Sequence, residues 1–131
     1  MEIFHIQETS DAIAARQRGR EAARAIGLGL VDQTYIAYMI SELALTLIQL
    51  PDKGHMVIRI IQKSKGESKL GIEVRAFDHC KGRLREPAFL KKLADELYVS
   101  NEDPRGMVTI FRKWLPVPAR FNTPIYAAGE E

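Results

Sequence analysis

The amino-acid sequence predicts an α+β fold: a two-layer sandwich with about three helices on one face of a mixed, mostly antiparallel sheet. Three observations carry this. Residues 11–26 and 31–48 repeat small or apolar side chains every three or four positions, the mark of two amphipathic helices. Residues 56–62 and 70–77 are strand-like runs joined by the polar Lys63-Ser64-Lys65-Gly66-Glu67-Ser68-Lys69, which reads as a hairpin. A length of 131 residues suits one core. The expected division is one domain over 1–115 and an extended tail over 116–131.

Ile3, Phe4 and Ile6 predict a short first strand. Thr9-Ser10-Asp11 offers N-cap candidates for the first helix, and Gly27 its C-terminal stop. Its tight stripe is Ala12, Ala15, Gly19, Ala22 and Ile26. Such small residues let a second backbone come close, from this chain or from a second copy in a homodimer. Arg16, Arg18, Arg20 and Arg24 surround the stripe, either as a surface for an acidic partner or as a solvated face paired with Glu21. Ile36, Ile40, Leu43 and Leu47 form the buried face of the second helix. Pro51-Asp52-Lys53-Gly54 ends that helix. In the second strand of the hairpin, Leu70, Ile72, Val74 and Ala76 alternate with Gly71, Glu73, Arg75 and Phe77. A third helix is expected over 87–97, with Phe89, Leu90, Leu93 and Leu97 apolar. Residues 98–101 and 107–115 read as a last hairpin, and Trp114 as a core residue. The tail holds three prolines and no sustained periodicity.

Composition narrows the function classes. The chain is 46% hydrophobic and 27% charged, with a net charge of +2. That charge is too small to imply nucleic acid. A single cysteine excludes an internal disulfide and fits a reducing compartment. Glu42 and Gln49 interrupt the longest apolar run, so no membrane span is expected. The N-terminus Met-Glu-Ile-Phe-His lacks a signal-peptide pattern, and a cytoplasmic protein is the expectation. His5, His55 and His79 are scattered along the sequence and form no zinc-ligand spacing.

Chemistry gathers at Ile40-Ser41-Glu42-Leu43-Ala44-Leu45-Thr46. Glu42 and Thr46 stand one turn apart and point the same way. A carboxylate beside a hydroxyl at the edge of an apolar face can hold a water, a metal-bound phosphate or a partner's backbone. It can equally be an ordinary solvated edge.

Taken in order, several stretches carry a resemblance. They are Asp11-Ala-Ile-Ala-Ala-Arg-Gln-Arg-Gly-Arg, Val31-Asp32-Gln33, Ile40-Ser41-Glu42-Leu43-Ala44, the strand end at Asp78, Phe89-Leu-Lys-Lys-Leu-Ala-Asp-Glu-Leu and Lys113-Trp114-Leu115. The set, spanning residues 3–115, resembles the Bergerat-fold (GHKL, histidine-kinase-like) ATPase domain. Within it the chain looks most like the small serine/threonine kinases and anti-sigma factors of bacterial partner switching, nearest the stressosome switch kinases. The resemblance implies ATP and Mg as cofactors. It assigns Glu42 as the residue orienting the nucleophile or a Mg-bound water. Asp78 would accept the adenine amino group. Gly82 belongs to the same nucleotide-binding motif, and Thr46 occupies the position of the Mg ligand.

The departures from that pattern are as informative. Active relatives carry Asn where this chain has Thr46, and the small kinases carry Arg where it has Leu45. In the Asp-x-Gly-x-Gly motif Cys80 replaces the first glycine. No glycine lies between Gly82 and Gly106, so the glycine-rich lid over the triphosphate is missing. Arg83, Arg85, Lys91 and Lys92 supply charge there but no amide cradle. The resulting expectation is a degenerate switch-kinase-like regulator that acts by binding proteins, with nucleotide turnover lost. Its partners, by resemblance, would be an antagonist-type stressosome domain, a phosphatase regulator or a sigma factor. They would be held by the first helix and the tail. The alternative is an active ATP-dependent serine/threonine protein kinase.

Overall fold

The computed structural model describes residues 1–64, 69–79, 88–100 and 107–116. Eight elements follow the chain: β1 (Glu2–Ile6), α1 (Thr9–Ala25), α2 (Leu30–Gln49), β2 (Gly54–Lys63), β3 (Lys69–Asp78), α3 (Ala88–Leu93), β4 (Glu96–Ser100) and β5 (Met107–Trp114). The strands form one sheet in the order β1-β2-β3-β5-β4. Each of its described pairings is antiparallel. The helices cover one face and leave the other open, the α+β sandwich that the sequence pattern predicts.

Helix α1 begins earlier than its Thr9-Ser10-Asp11 cluster suggests. Glu8 is the N-cap, and Asp11 in the first turn accepts the main-chain N–H groups of Gln7 and Glu8, each at 3.0 Å. Gly27, at φ +98°, turns the chain out of the helix in a conformation that L side chains rarely adopt. At the far end of α2 the left-handed residue is Lys53 (φ 51°), and Gly54 already belongs to β2.

The small-residue stripe of α1 is buried inside the molecule. Ala12, Ala15, Gly19, Ala22 and Ala23 face inward. A Cβ on Gly19 would run into Ile40 Cδ1 of α2. The stripe therefore brings α2 close and is not a surface for a second copy of the chain. Ile36, Ile40, Leu43 and Leu47, all fully buried, complete the contact and reach the sheet at Met56, Ile72, Val74 and Phe111. Burial of this apolar area is the main stabilising term, roughly 25 cal/mol per Å² removed from water.

Two expectations need correction. The third helix ends at Leu93, and Leu97 lies in β4. Asp95 stops the helix: its carboxylate accepts the Trp114 N–H at 2.7 Å, and its own N–H donates to the Arg112 carbonyl at 2.9 Å. Trp114 is half-buried rather than core. Its Nε1 donates to Glu96 Oε2 at 2.7 Å, and its ring lies against Gly71, where a Cβ would be 2.7 Å from Trp114 Cε3.

The open face carries a charge network centred on Glu73, which is fully buried although none of the described helices covers it. Its carboxylate accepts from Arg59 Nε (2.7 Å), Arg75 Nε (2.8 Å) and Arg112 Nε (2.8 Å). Burial pushes the Glu73 carboxyl up. Hydrogen bonds from the three guanidiniums and the Arg75 charge outweigh that and hold it at about 2. The buried charge is tolerated because every neighbour compensates it.

Two outcomes test these contacts. Gly19→Ala should lower stability by about 1 kcal/mol: the gain in helix propensity of about 1 kcal/mol is exceeded by overpacking against confined Ile40, about 1–3 kcal/mol. Adding Ile40→Val should recover most of the loss in thermal denaturation, whereas additive losses would contradict the contact. For Glu73, the folded-state pKa lies below the unfolded value near 4.5. Its contribution is therefore complete above that value and disappears as pH falls toward about 2, because the unfolded chain then binds the extra proton. Glu73→Gln should flatten that acid limb of the melting temperature and lower stability at neutral pH.

Candidate functional site

Three elements meet at one end of the helix-covered face. In β3, Ile72, Val74 and Ala76 are fully buried against the helices. Strand alternation carries Asp78 to the same side, where it too is fully buried. Asp78 stands opposite Gly54 of β2 and Met107 of β5. A Cβ on Gly54 would collide with the Phe77 carbonyl oxygen and lie 3.0 Å from Leu47 Cδ2. The absence of a side chain there lets the C-terminal half of α2 settle on the sheet beside the end of β3.

That half of α2 carries Glu42 and Thr46, both partly buried. The Thr46 hydroxyl donates to the Glu42 main-chain carbonyl at 2.9 Å. Its proton is thus committed to the helix, and its oxygen remains as an acceptor or ligand. The Glu42 carboxylate makes no hydrogen bond or ion pair among the described residues. A half-buried carboxylate left in this way can hold a water or a metal-bound water.

Strand β5 adds a residue that sequence reasoning missed. Thr109 is 1% exposed, and its Oγ1 has no hydrogen-bond partner among the described residues. It pairs with Ala76 and so sits diagonally from Asp78 on the same face, roughly 7–8 Å away along the backbone. An unpaired buried hydroxyl costs about 1–3 kcal/mol, and a polar group bridging Asp78 and Thr109 would remove that cost. A β-branched residue in a strand is ordinary, so nothing in the sequence marks Thr109 out.

Gly82, Cys80 and the rest of 80–87, where the lid is expected to be missing, lie outside the described residues. So does the stretch 117–131 of the expected tail. Lys91 and Lys92 are exposed. Lys113 is structural: its Nζ donates to the Leu93 carbonyl at 2.9 Å and lies 3.6 Å from Asp32, tying β5 to α3 and α2.

The histidines are scattered in sequence but close in space. His55 Nδ1 and His79 Nε2 are 3.0 Å apart, and the His5 ring centroid is 6.0 Å from that of His55. Among the described residues no group of three or more His, Cys, Asp or Glu could hold a metal ion. On the helix side, α1 and α2 frame a groove of about 840 Å³ lined by Arg16, Arg20, Arg24, Leu30 and Tyr38. Arg18 is instead paired with Glu2 at 2.9 Å and Glu21 at 3.1 Å. No helix among the described residues is long and apolar enough to cross a membrane.

The architecture is that of an α+β sandwich with a recessed polar group at the end of a central strand and a carboxylate-bearing helix beside it. No family profile matches the chain. The serine/threonine-protein kinase RsbT of Bacillus subtilis (strain 168) is 30% identical to it over 122 residues, taking in 80% of this chain and 90% of the relative. The chain belongs to the family of that kinase.

The unpaired hydroxyl gives a direct stability test. Thr109→Val keeps the side-chain shape and removes the orphaned group, so it should raise stability by about 1 kcal/mol in chemical denaturation. A loss of 1 kcal/mol or more would mean that the hydroxyl is satisfied in the folded protein.

Proposed function

We propose that the chain is a switch-kinase-like regulator of the partner-switching type, with a Bergerat-type pocket that holds an adenine nucleotide at the helix-covered end of β3. The observation that carries this is the juxtaposition of buried Asp78 with the orphaned Thr109 hydroxyl, in a chain 30% identical to a serine/threonine-protein kinase. Asp78 would accept the exocyclic amino group of the base. Thr109 would join the same polar patch, directly or through a water. Glu42 would face the phosphate side, with Thr46 as an oxygen ligand for Mg and Gly82 as part of the same nucleotide-binding motif as Asp78. Mg would neutralise phosphate charge.

What the sequence withholds supports reduced turnover. Phosphoryl transfer depends on positioning and on charge stabilisation around the transferred group. A chain without the glycine-rich segment has no amide cradle and little exclusion of water for that step. Nucleotide binding would then serve to set the shape of a protein that acts through its partners. The groove between α1 and α2, rich in arginine and flanked by exposed Leu30 and Val31, is the surface proposed for an acidic partner. The rival reading is an active serine/threonine protein kinase. It is favoured by Glu42, whose carboxylate is left available beside the pocket.

Calorimetric titration with Mg-ATP and Mg-ADP tests the pocket. Micromolar binding of both, weakened at least tenfold (about 1.4 kcal/mol) by Asp78→Asn and also weakened by Thr109→Val, is expected. No heat from a protein that melts cooperatively would contradict the reading. Rapid Mg-dependent phosphate transfer to a protein substrate, lost in Glu42→Gln, would favour the kinase over the regulator.

A further inference from the structure

The open face of the sheet holds more positive donors than its own acceptors use. Arg59, Arg75 and Arg112 each reach Glu73 through Nε. Arg112 also gives Nη1 to Glu96 at 3.0 Å. The terminal nitrogens of Arg59 and Arg75 have no partner among the described residues. Both carboxylates of the network are fully engaged. Glu73 takes three guanidiniums, and Glu96 takes Arg112, the Trp114 Nε1 and the Tyr98 hydroxyl. What remains outward is a pair of forked donors from neighbouring strands, held from behind by a buried carboxylate. Guanidiniums fixed in this way have little rotamer freedom left to lose on binding an oxyanion.

Beside Arg59 runs a groove of about 640 Å³ lined by Arg59, Ile61, Lys63, Glu96, Tyr98 and Trp114, and Arg75 adjoins it through the Glu73 carboxylate that it shares with Arg59. It crosses four strands from β2 to β4, a span of roughly 14 Å at about 4.8 Å per strand. That is the length of four or five extended residues. Beside the polar groups are apolar surfaces on the same face, half-buried Ile61 opposite Gly71 and Tyr98, which is 49% exposed. The Arg112 guanidinium lies 5.2 Å from the Tyr98 ring centroid. A lone anion would use the arginines and leave these surfaces bare. A short extended peptide covers both.

We propose that this open face is a docking site for an acidic, extended segment of a partner protein, its carboxylates held by the outward nitrogens of Arg59 and Arg75 and its backbone lying across β3 and β5 toward Tyr98 and Trp114. Charge complementarity selects the segment: among the described residues the arginines of this face offer more donors than its two carboxylates use. The site lies on the opposite face of the sheet from Asp78, so it stands whether or not nucleotide binds there.

Trp114 is the chain's only tryptophan and lines the groove, so its emission reports occupancy. The probe is blocked penta-glutamate, with penta-glutamine and inorganic phosphate as controls. Penta-glutamate should change the emission saturably, and more weakly as salt rises. The dissociation constant should rise at least tenfold in Arg59→Gln/Arg75→Gln and severalfold in Arg59→Lys/Arg75→Lys, which keeps charge around Glu73 but loses the forks. If the glutamine pair fails to fold, the lysine pair decides. No saturable change, equal affinity in the lysine pair, or equal binding of penta-glutamine would overturn the proposal. Saturation by phosphate at the same concentration would reduce the site to a small-anion site and overturn the peptide. Loss of the response in Arg16→Gln/Arg20→Gln would move the peptide to the α1–α2 groove and overturn it as well.

Discussion

The close approach of α1 to α2 at Gly19 is the constraint on which the rest of this structure depends. A side chain there would run into Ile40 Cδ1 and force the Ile40 side chain to shift. With α1 held close, α2 sits low over the sheet, Leu47 reaches the side-chain-free position at Gly54, and the C-terminal half of α2 stands beside the end of β3. Leu47, one residue beyond Thr46, meets β2 opposite Asp78 because two glycines on different elements each leave room for a close neighbour.

The two faces of the sheet solve opposite problems. On the covered face, burial is nearly complete, and Asp78 and Thr109 are the buried polar side chains that β3 and β5 carry there among the described residues. The Thr109 hydroxyl is tolerated at a cost, the usual signature of a group retained for something other than stability. On the open face none of the described helices supplies burial. There the arginines themselves shield Glu73, with side chains still 42%, 35% and 27% exposed at Arg59, Arg75 and Arg112. Helix packing and a charge network thus finish the same sheet by different means, and each leaves a chemically distinct surface.

Much of this was legible in the sequence because it rests on periodicity. The Ile36, Ile40, Leu43, Leu47 repeat and the alternation from Leu70 to Phe77 report burial directly, and they predicted α2 and β3 and the faces they turn inward. The small-residue stripe foretold close packing at Gly19 but not its partner, since spacing says nothing about whether α2 or another copy fills it. The spacing of Leu97 from Leu93 fits a helix, but hydrogen bonds between Asp95 and β5, distant in sequence, end that helix earlier. Trp114 read as core because large aromatics usually are, and only the tertiary bond to Glu96 reveals otherwise. Thr109 was invisible for a similar reason: its significance lies in a missing partner, which no sequence displays. The histidines are a third case, 24 residues or more apart in the chain yet brought to one corner by the β1-β2-β3 register.

The most direct test of the account is amide hydrogen exchange with and without Mg-ADP. The account predicts slowed exchange confined to the end of β3 around Asp78, the facing part of β5 at Met107 to Thr109 and the C-terminal half of α2, with the α1–α2 groove and the open face of the sheet unchanged. Protection centred on either of those other surfaces, or none at saturating nucleotide, would contradict it.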